Sequence, residues 1–327
     1  MPEIPLIDIG PLLRGATGDS VQAVARELRR TCEGTGFFSV IGHGVPKSAI
    51  SDLSRNAYAF FDSSLEEKKR VARPRPEQNR GFIGSGGETL ARLGGRETPP
   101  DIKEVFTIGP FDFAADDYHS CTSAYPSFAP NLWPACIPEL EPAMKTYWTF
   151  VEHLAKAIAR GFAIALDLDP RYFDPLIDRN TSQLRIIYYP PPGAAPEPGQ
   201  LRAGEHTDLG MMTILTNDND IGGLQVRRRD GDWIDVPVND DAFVVNIGDL
   251  MMRWTNDRWE STPHRVINPP DTRIAQSRRL SIAYFFIPNY DTKVACVETC
   301  RSADRPAKYK PISVTAYRTE RFARTAQ

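Results

Sequence analysis

Gly204-Glu-His-Thr-Asp208, taken with His264 and with Arg279-Leu-Ser281, is the stretch that decides how this chain folds. In an extended strand, residues two apart point to the same face. His206 and Asp208 can therefore reach one metal ion together, and Arg279 and Ser281 can reach one carboxylate together. Two imidazoles and a carboxylate form a ligand set that holds Fe(II) with coordination positions left open. An arginine with a hydroxyl two residues on suits the far carboxylate of a keto-acid cosubstrate. HxD alone is common by chance. Followed by a histidine 56 positions later (264 − 208) and by RxS on a β-rich segment, it is far more specific.

Around that stretch the chain reads as short strands: 183–189, 212–216, 223–227, 233–236, 243–247, 264–267 and 279–287. Turn signals separate them at Pro190–Gly193, Asn217–Asp220, Gly222-Gly223, Asp230-Gly231 and Pro269-Pro270. Many short strands with Gly/Pro turns predict a sandwich, barrel or jelly roll. The first half reads differently. Val21, Val24, Leu28 and Cys32 recur at helical spacing over 20–33, and Gly34-Thr-Gly36 stops the run. Residues 36–42 read as a buried strand, a second helix opens near Pro46, and Ser64-Leu-Glu-Glu67 fits a capping box. Residues 72–135, rich in Gly, Pro and charge, yield no assignment. Over 139–167 a long helix presents Met144, Trp148, Val151, Leu154, Ala155, Ile158 and Phe162 on one face.

The expected class is α+β, as one compact fold over 1–327. Its parts are a helical and loop region over 1–135, the long supporting helix, a core over 180–290 and a C-terminal segment over 291–327. A net charge of −3 argues against a nucleic-acid surface. No run approaches the roughly 18 apolar residues of a membrane span. The opening MPEIPLIDIG lacks the features of an export signal, and five cysteines without a CxxC pair read as free thiols. The expected setting is cytoplasmic, and the expected partner is a small molecule rather than nucleic acid or membrane. No oligomeric state follows from the sequence.

At these residues the chain resembles the 2-oxoglutarate- and Fe(II)-dependent dioxygenases, in their isopenicillin N synthase-like branch. Ile4–Ile9 and Gly36–Val45 resemble that branch's N-terminal segment, and Leu184–Pro191 its first core strand. Gly204–Asp208, Gly223-Leu-Gln225, Asn246-Ile-Gly-Asp249 and Ser261–Val266 follow in the same order. The insert between His264 and Arg279, with Pro269–Arg273, is longer than in compact members and falls in an expected hairpin loop. The resemblance implies a distorted double-stranded β-helix with His206, Asp208 and His264 as iron ligands. It also implies that Arg279 and Ser281, assisted by Tyr189, bind 2-oxoglutarate. The implied reaction uses O2 and yields succinate and CO2 while oxidising a C–H bond of a small molecule by hydroxylation, desaturation or ring closure, as in specialised metabolism. Two alternatives stand beside it: an oxidase that uses O2 without 2-oxoglutarate, and a non-catalytic metal-binding jelly roll.

Substrate contacts are expected from the N-terminal loops, the first core strand and the clamp strand, at Phe82, Phe106, Arg185, Leu215 and Phe285. Alternation along 183–189 turns Arg185 inward with Tyr189. Its partner there is either a substrate carboxylate or an acidic side chain of the helical half. By the same parity Arg278 and Glu205 face away from the site. His43, His119 and His153 have no partner motif and read as structural or surface residues.

Overall fold

The computed structural model describes residues 4–15, 18–75, 77–125, 127–191, 196–218 and 221–323. Its main strands are β1 Leu6–Asp8, β2 Phe37–Ile41, β3 Gly81–Ile83, β4 Glu104–Ile108, β5 Gln183–Tyr189 and β6 Ala203–His206. They continue as β7 Met212–Asn217, β8 Leu224–Arg227, β9 Trp233–Asp235, β10 Phe243–Ile247, β11 His264–Val266 and β12 Arg279–Phe286. One sheet runs β1-β2-β10-β7-β12-β5-β4-β3 and the other β6-β11-β8-β9. Strands of the second half are thus shared between two layers, as in a jelly roll.

The large sheet has two different faces. Leu184, Ile186 and Tyr188 of β5 and Leu280, Ile282 and Tyr284 of β12 pack into the main core. That core also takes residues from α1 Asp19–Gly34, α2 Lys47–Phe61 and the long α4 Leu140–Ala165. The intervening residues Ile187, Tyr189, Leu215, Phe37 and Val244 join Leu224, Val226 and Val266 of the small sheet in a second cluster between the layers. Each fully buried aliphatic side chain contributes roughly 1.5–3 kcal/mol. A one-residue slip of β5 would exchange Leu184, Ile186 and Tyr188 for Arg185 and its neighbours, so burial fixes the register.

Most expected elements are present within a residue or two. Ser64 caps α3 Leu65–Arg70 through Glu67 N–H at 3.2 Å. The turn signals at 190–193 and 217–220 lie partly outside the described residues. Elements that escape the sequence reading include β1, β3 and β4, α5 Asp249–Trp254 after β10, and α6 Val314–Ala323 in the C-terminal segment. The insert before Arg279 holds a 3₁₀ turn over Asp271–Gln276.

The region 1–135 needs correction, because it is not only helix and loop. It supplies β1 and β2 at one edge of the large sheet and β3 and β4 at the other. A second correction follows from register. Phe106 pairs with Phe82 on one side and with Ile186 on the other. All three belong to the main core, where Phe60 meets both phenylalanines. Phe82 and Phe106 are therefore core residues, and the substrate role expected for them fails by one step of strand parity.

Between α1 and β2 the chain turns at Gly36, whose φ is +66° and where a Cβ would lie 2.6 Å from the Glu260 carbonyl oxygen. The Gly36 carbonyl also accepts from Ile247 N–H at 3.1 Å, joining this turn to β10. Gly36→Ala should lower stability by about 1–3 kcal/mol. Urea denaturation of the two chains checks this, and an unchanged midpoint would show that the turn relaxes freely.

Candidate metal centre and cosubstrate site

His206 ends β6 and His264 begins β11, and the two are directly opposite in the antiparallel ladder. Residues so paired have Cβ atoms about 4.5–5.5 Å apart. Here the ring centroids are 4.3 Å apart. Asp208 lies just beyond the end of β6, so strand parity alone does not place it. The turn after β10 does. Asp249 N–H donates to the Asp208 carbonyl at 2.8 Å, and Gly248 N–H to that of Met211 at 3.0 Å. A Cβ on Gly248 would lie 2.3 Å from the Gly210 carbonyl oxygen, so this approach needs glycine.

The donor atoms are oriented from behind. His206 Nδ1 donates to the Gly204 carbonyl at 2.8 Å and His264 Nδ1 to that of Thr262 at 3.2 Å, which leaves each Nε2 free. Asp208 Oδ2 accepts from Thr213 Oγ1 at 2.5 Å and from Asn246 Nδ2 at 2.8 Å. Its Oδ1 lies 3.8 Å from both Nε2 atoms. Burial, then the His264 ring, pulls the His206 imidazole well below its ordinary pKa and holds it neutral. Burial would raise the Asp208 carboxyl. The two imidazoles and the Thr213 and Asn246 hydrogen bonds outweigh it and keep the group ionised. Two neutral nitrogens and one carboxylate oxygen facing a common point fit a divalent cation.

Across the cavity, Arg279 pairs with Tyr189 of β5, and its guanidinium sits 4.7 Å from that ring's centroid. Arg279 is almost wholly buried. It donates to the Gly222 carbonyl, has no carboxylate partner among the described residues, and its Nε is unsatisfied. Ser281 shares its face and donates to Asn217 Oδ1 at 2.6 Å. Arg202 flanks the other residues of this end at 5.6 Å from the Tyr189 ring. Burial, then Arg279, pulls its pKa down to about 10. A buried guanidinium without a counter-charge is costly, and a carboxylate of the cosubstrate suits it. Arg278 points away and holds Asp62 at 2.6 Å, and Glu205 turns outward to Arg96 and Arg227.

His206, Asp208, His264, Arg279, Ser281 and Tyr189 line one cavity of about 230 Å³. Leu215, Phe285 and Arg185 line it too, whereas Phe82 and Phe106 do not. Arg185 already has protein partners: Glu88 at 3.1 Å, Asn79 at 2.8 Å and Thr107 at 3.2 Å. Sequence reasoning does not single out Glu88, Lys103, Thr213, Asn217 or Arg321. Only Asn246 and Asp249 carry a signal, as part of the quoted Asn246–Asp249 motif. Arg321 of α6 bonds Asp249 and donates to the Thr207 carbonyl at 2.5 Å, between two of the candidate ligands.

The model of the 2OG-Fe(II) oxygenase superfamily matches residues 180–288. That of the N-terminal region of non-haem dioxygenases in morphine synthesis matches residues 4–136. The chain is 35% identical to a 2-oxoglutarate-Fe(II) type oxidoreductase of Emericella nidulans, over 95% of this chain and 86% of that one. It is 33% identical to homoarginine-6-hydroxylase of Glycine max, over 90% and 88%. A Neurospora crassa protein solved in complex with alpha-KG and thymine superposes with a TM-score of 0.80 at 32% identity, covering 98% and 97% of the two chains. With relatives matching almost end to end, the protein belongs to the 2OG-Fe(II) oxygenase superfamily and is a non-haem dioxygenase that works with Fe(II), 2-oxoglutarate and O2.

Proposed function

We propose that His206, Asp208 and His264 hold the iron, that Arg279 and Ser281 beside Tyr189 hold the distal carboxylate of 2-oxoglutarate, and that the substrate is a small molecule. One observation carries this assignment. Asp208 has one oxygen occupied by Thr213 and Asn246 and the other aimed at two free imidazole nitrogens, and the same cavity holds a buried arginine with no counter-charge among the described residues. Fe(II) bound there supplies the redox chemistry by which O2 converts 2-oxoglutarate to succinate and CO2 and oxidises a C–H bond. The chain's own groups do the rest. The Nδ1 hydrogen bonds keep both imidazoles in one tautomer, and Thr213 with Asn246 fixes the carboxylate. The Tyr189 ring, Leu224 and Val266 line the clamp end with apolar surface, which strengthens the charge pairing at Arg279. Relatives that use 2-oxoglutarate favour this reading over an oxidase without it or a metal-binding scaffold. Several relatives have names that fit specialised metabolism, such as Validamycin A dioxygenase of Streptomyces hygroscopicus. The acidic charge balance speaks for a small substrate rather than nucleic acid. Five free thiols suit a cytoplasmic setting. Among the described residues no helix is long and apolar enough to cross a membrane.

Replacing His206, Asp208 or His264 by Ala should abolish succinate formation and weaken Fe(II) binding without unfolding the chain. Metal titration with circular dichroism measures both, and wild-type turnover by any of the three would falsify the triad. Asn246→Ala should lower Fe(II) affinity or turnover by about 10–100-fold, the usual cost of losing a group behind a metal ligand. An effect under twofold would mean that Asp208 needs no such support. For the cosubstrate, Arg279→Ala should raise the 2-oxoglutarate KM by about one to two orders of magnitude, the equivalent of losing a charge-assisted contact. Arg278→Ala should leave that KM alone, and equal effects from the two would overturn the clamp.

A further inference from the structure

Charges at the substrate end of the cavity do not cancel. Lys103 is held by Asp101 at 2.9 Å and Arg185 by Glu88 at 3.1 Å. Arg321 is held by Asp249. Three nitrogens of Arg185 are already bonded, so it has little left to offer a ligand. Two lining cations remain, Arg73 and Arg318; no carboxylate lies within ion-pair distance of either among the described residues, and Arg73 feels Glu88 only from further off. Glu77 also lines the cavity but is exposed at the rim, where water screens it.

Arg318 is the better placed of the two. It stands three residues before Arg321 on α6, and residues so spaced share a helix face. Arg321 ties that face to Thr207, between His206 and Asp208. Among the described residues Arg318 donates to Ser127 Oγ, at 2.9 Å. Burial lowers its pKa, with no acid opposing the shift. The same cavity is also lined by apolar side chains: Phe285, Ala283 and Ile287 of the clamp strand and its continuation, and Leu93. A largely buried cation beside apolar walls suits a ligand with a hydrocarbon body and one negative end.

We propose that the substrate is a small carboxylic acid whose carboxylate is received by Arg318, with Arg73 as a second cation at the rim, while its apolar body lies toward the iron. The carboxylate role that alternation offered to Arg185 thus passes to α6. A carboxylate is planar and can take a bidentate contact from the inner guanidinium of Arg318, leaving Arg73 to act from the rim.

The inference rests on the 2-oxoglutarate-dependent reading and concerns only the second substrate. The test uses the full chain with Fe(II) and saturating 2-oxoglutarate, without oxygen, in calorimetric titrations. Probes are phenylacetate, hexanoate and L-leucine, each against its primary amide, with phenethylamine and hexylamine as cationic controls. At least one acid should bind about ten- to a hundredfold more tightly than its amide, the size of a charge-assisted contact. Arg318→Gln should remove most of that preference, Arg318→Lys should keep part of it, and Arg73→Gln should reduce it less. Amides or amines binding as well as the acids, no acid binding at all, or an acid preference intact in Arg318→Gln would each overturn the proposal. Should Arg318→Gln fail to fold, the wild-type comparison of acid with amide decides alone. A wild-type chain that does not bind 2-oxoglutarate refutes the underlying reading, an outcome read before any probe is added.

Discussion

Everything in this protein depends on a large sheet whose two faces meet different surroundings. Even-numbered residues of β5 and β12 enter a core closed by α1, α2 and α4, and odd-numbered ones enter a cavity. The period of a strand is two, so a one-residue shift would bring Arg185, Arg279 and Ser281 into the apolar core. Neither face tolerates the other's residues. The same burial that stabilises the fold therefore aims the clamp, with no separate device needed for it.

The second layer contributes what parity cannot. His206 and His264 meet because β6 and β11 pair, but Asp208 lies past the strand end and depends on a turn from elsewhere. Asn246, Gly248 and Asp249 supply that turn within four residues, one through its side chain, one by having none, and one through its amide. Arg321 then joins Asp249 and Thr207 to α6. The carboxylate donor is thus positioned by β10 and α6, over a hundred positions further along the chain in the case of Arg321.

Legibility in the sequence follows the strength of local pattern. β5 and β10 are readable to the residue because each is a run of β-branched and aromatic residues between clear turns. The long helix is readable because its apolar stripe persists along 26 residues. β3 and β4 are not, since one is only three residues long and the other begins at Glu104, beside Lys103. Both draw their stability from neighbours rather than from their own sequence. Phe82 and Phe106 are misplaced for the same reason, as their facing depends on a register known only once β4 lies against β5. The candidate ligands and clamp are visible because their chemistry needs rare residue types at fixed spacing. Thr213, Asn217 and Arg318 are common types with nothing local to mark them.

The buried group of Arg185, Glu88, Lys103 and Asp101 bears on how such a cavity can change over generations. Asp101 also accepts from Gly204 N–H at 3.0 Å, the residue whose carbonyl holds His206. Burial opposes the Glu88 carboxylate, yet Arg185 and Lys103 keep its pKa near 2, so it remains charged. Removing any one member strands an opposite charge in low dielectric, which typically costs about 3–5 kcal/mol. That is a large part of the margin by which a domain is stable. This wall is then open only to coordinated replacement, because each intermediate step is unstable, while exposed positions at the rim, such as Glu77, are free to drift one residue at a time. Diversification of substrate should be written into the rim, with the ionic wall inherited as a frozen part.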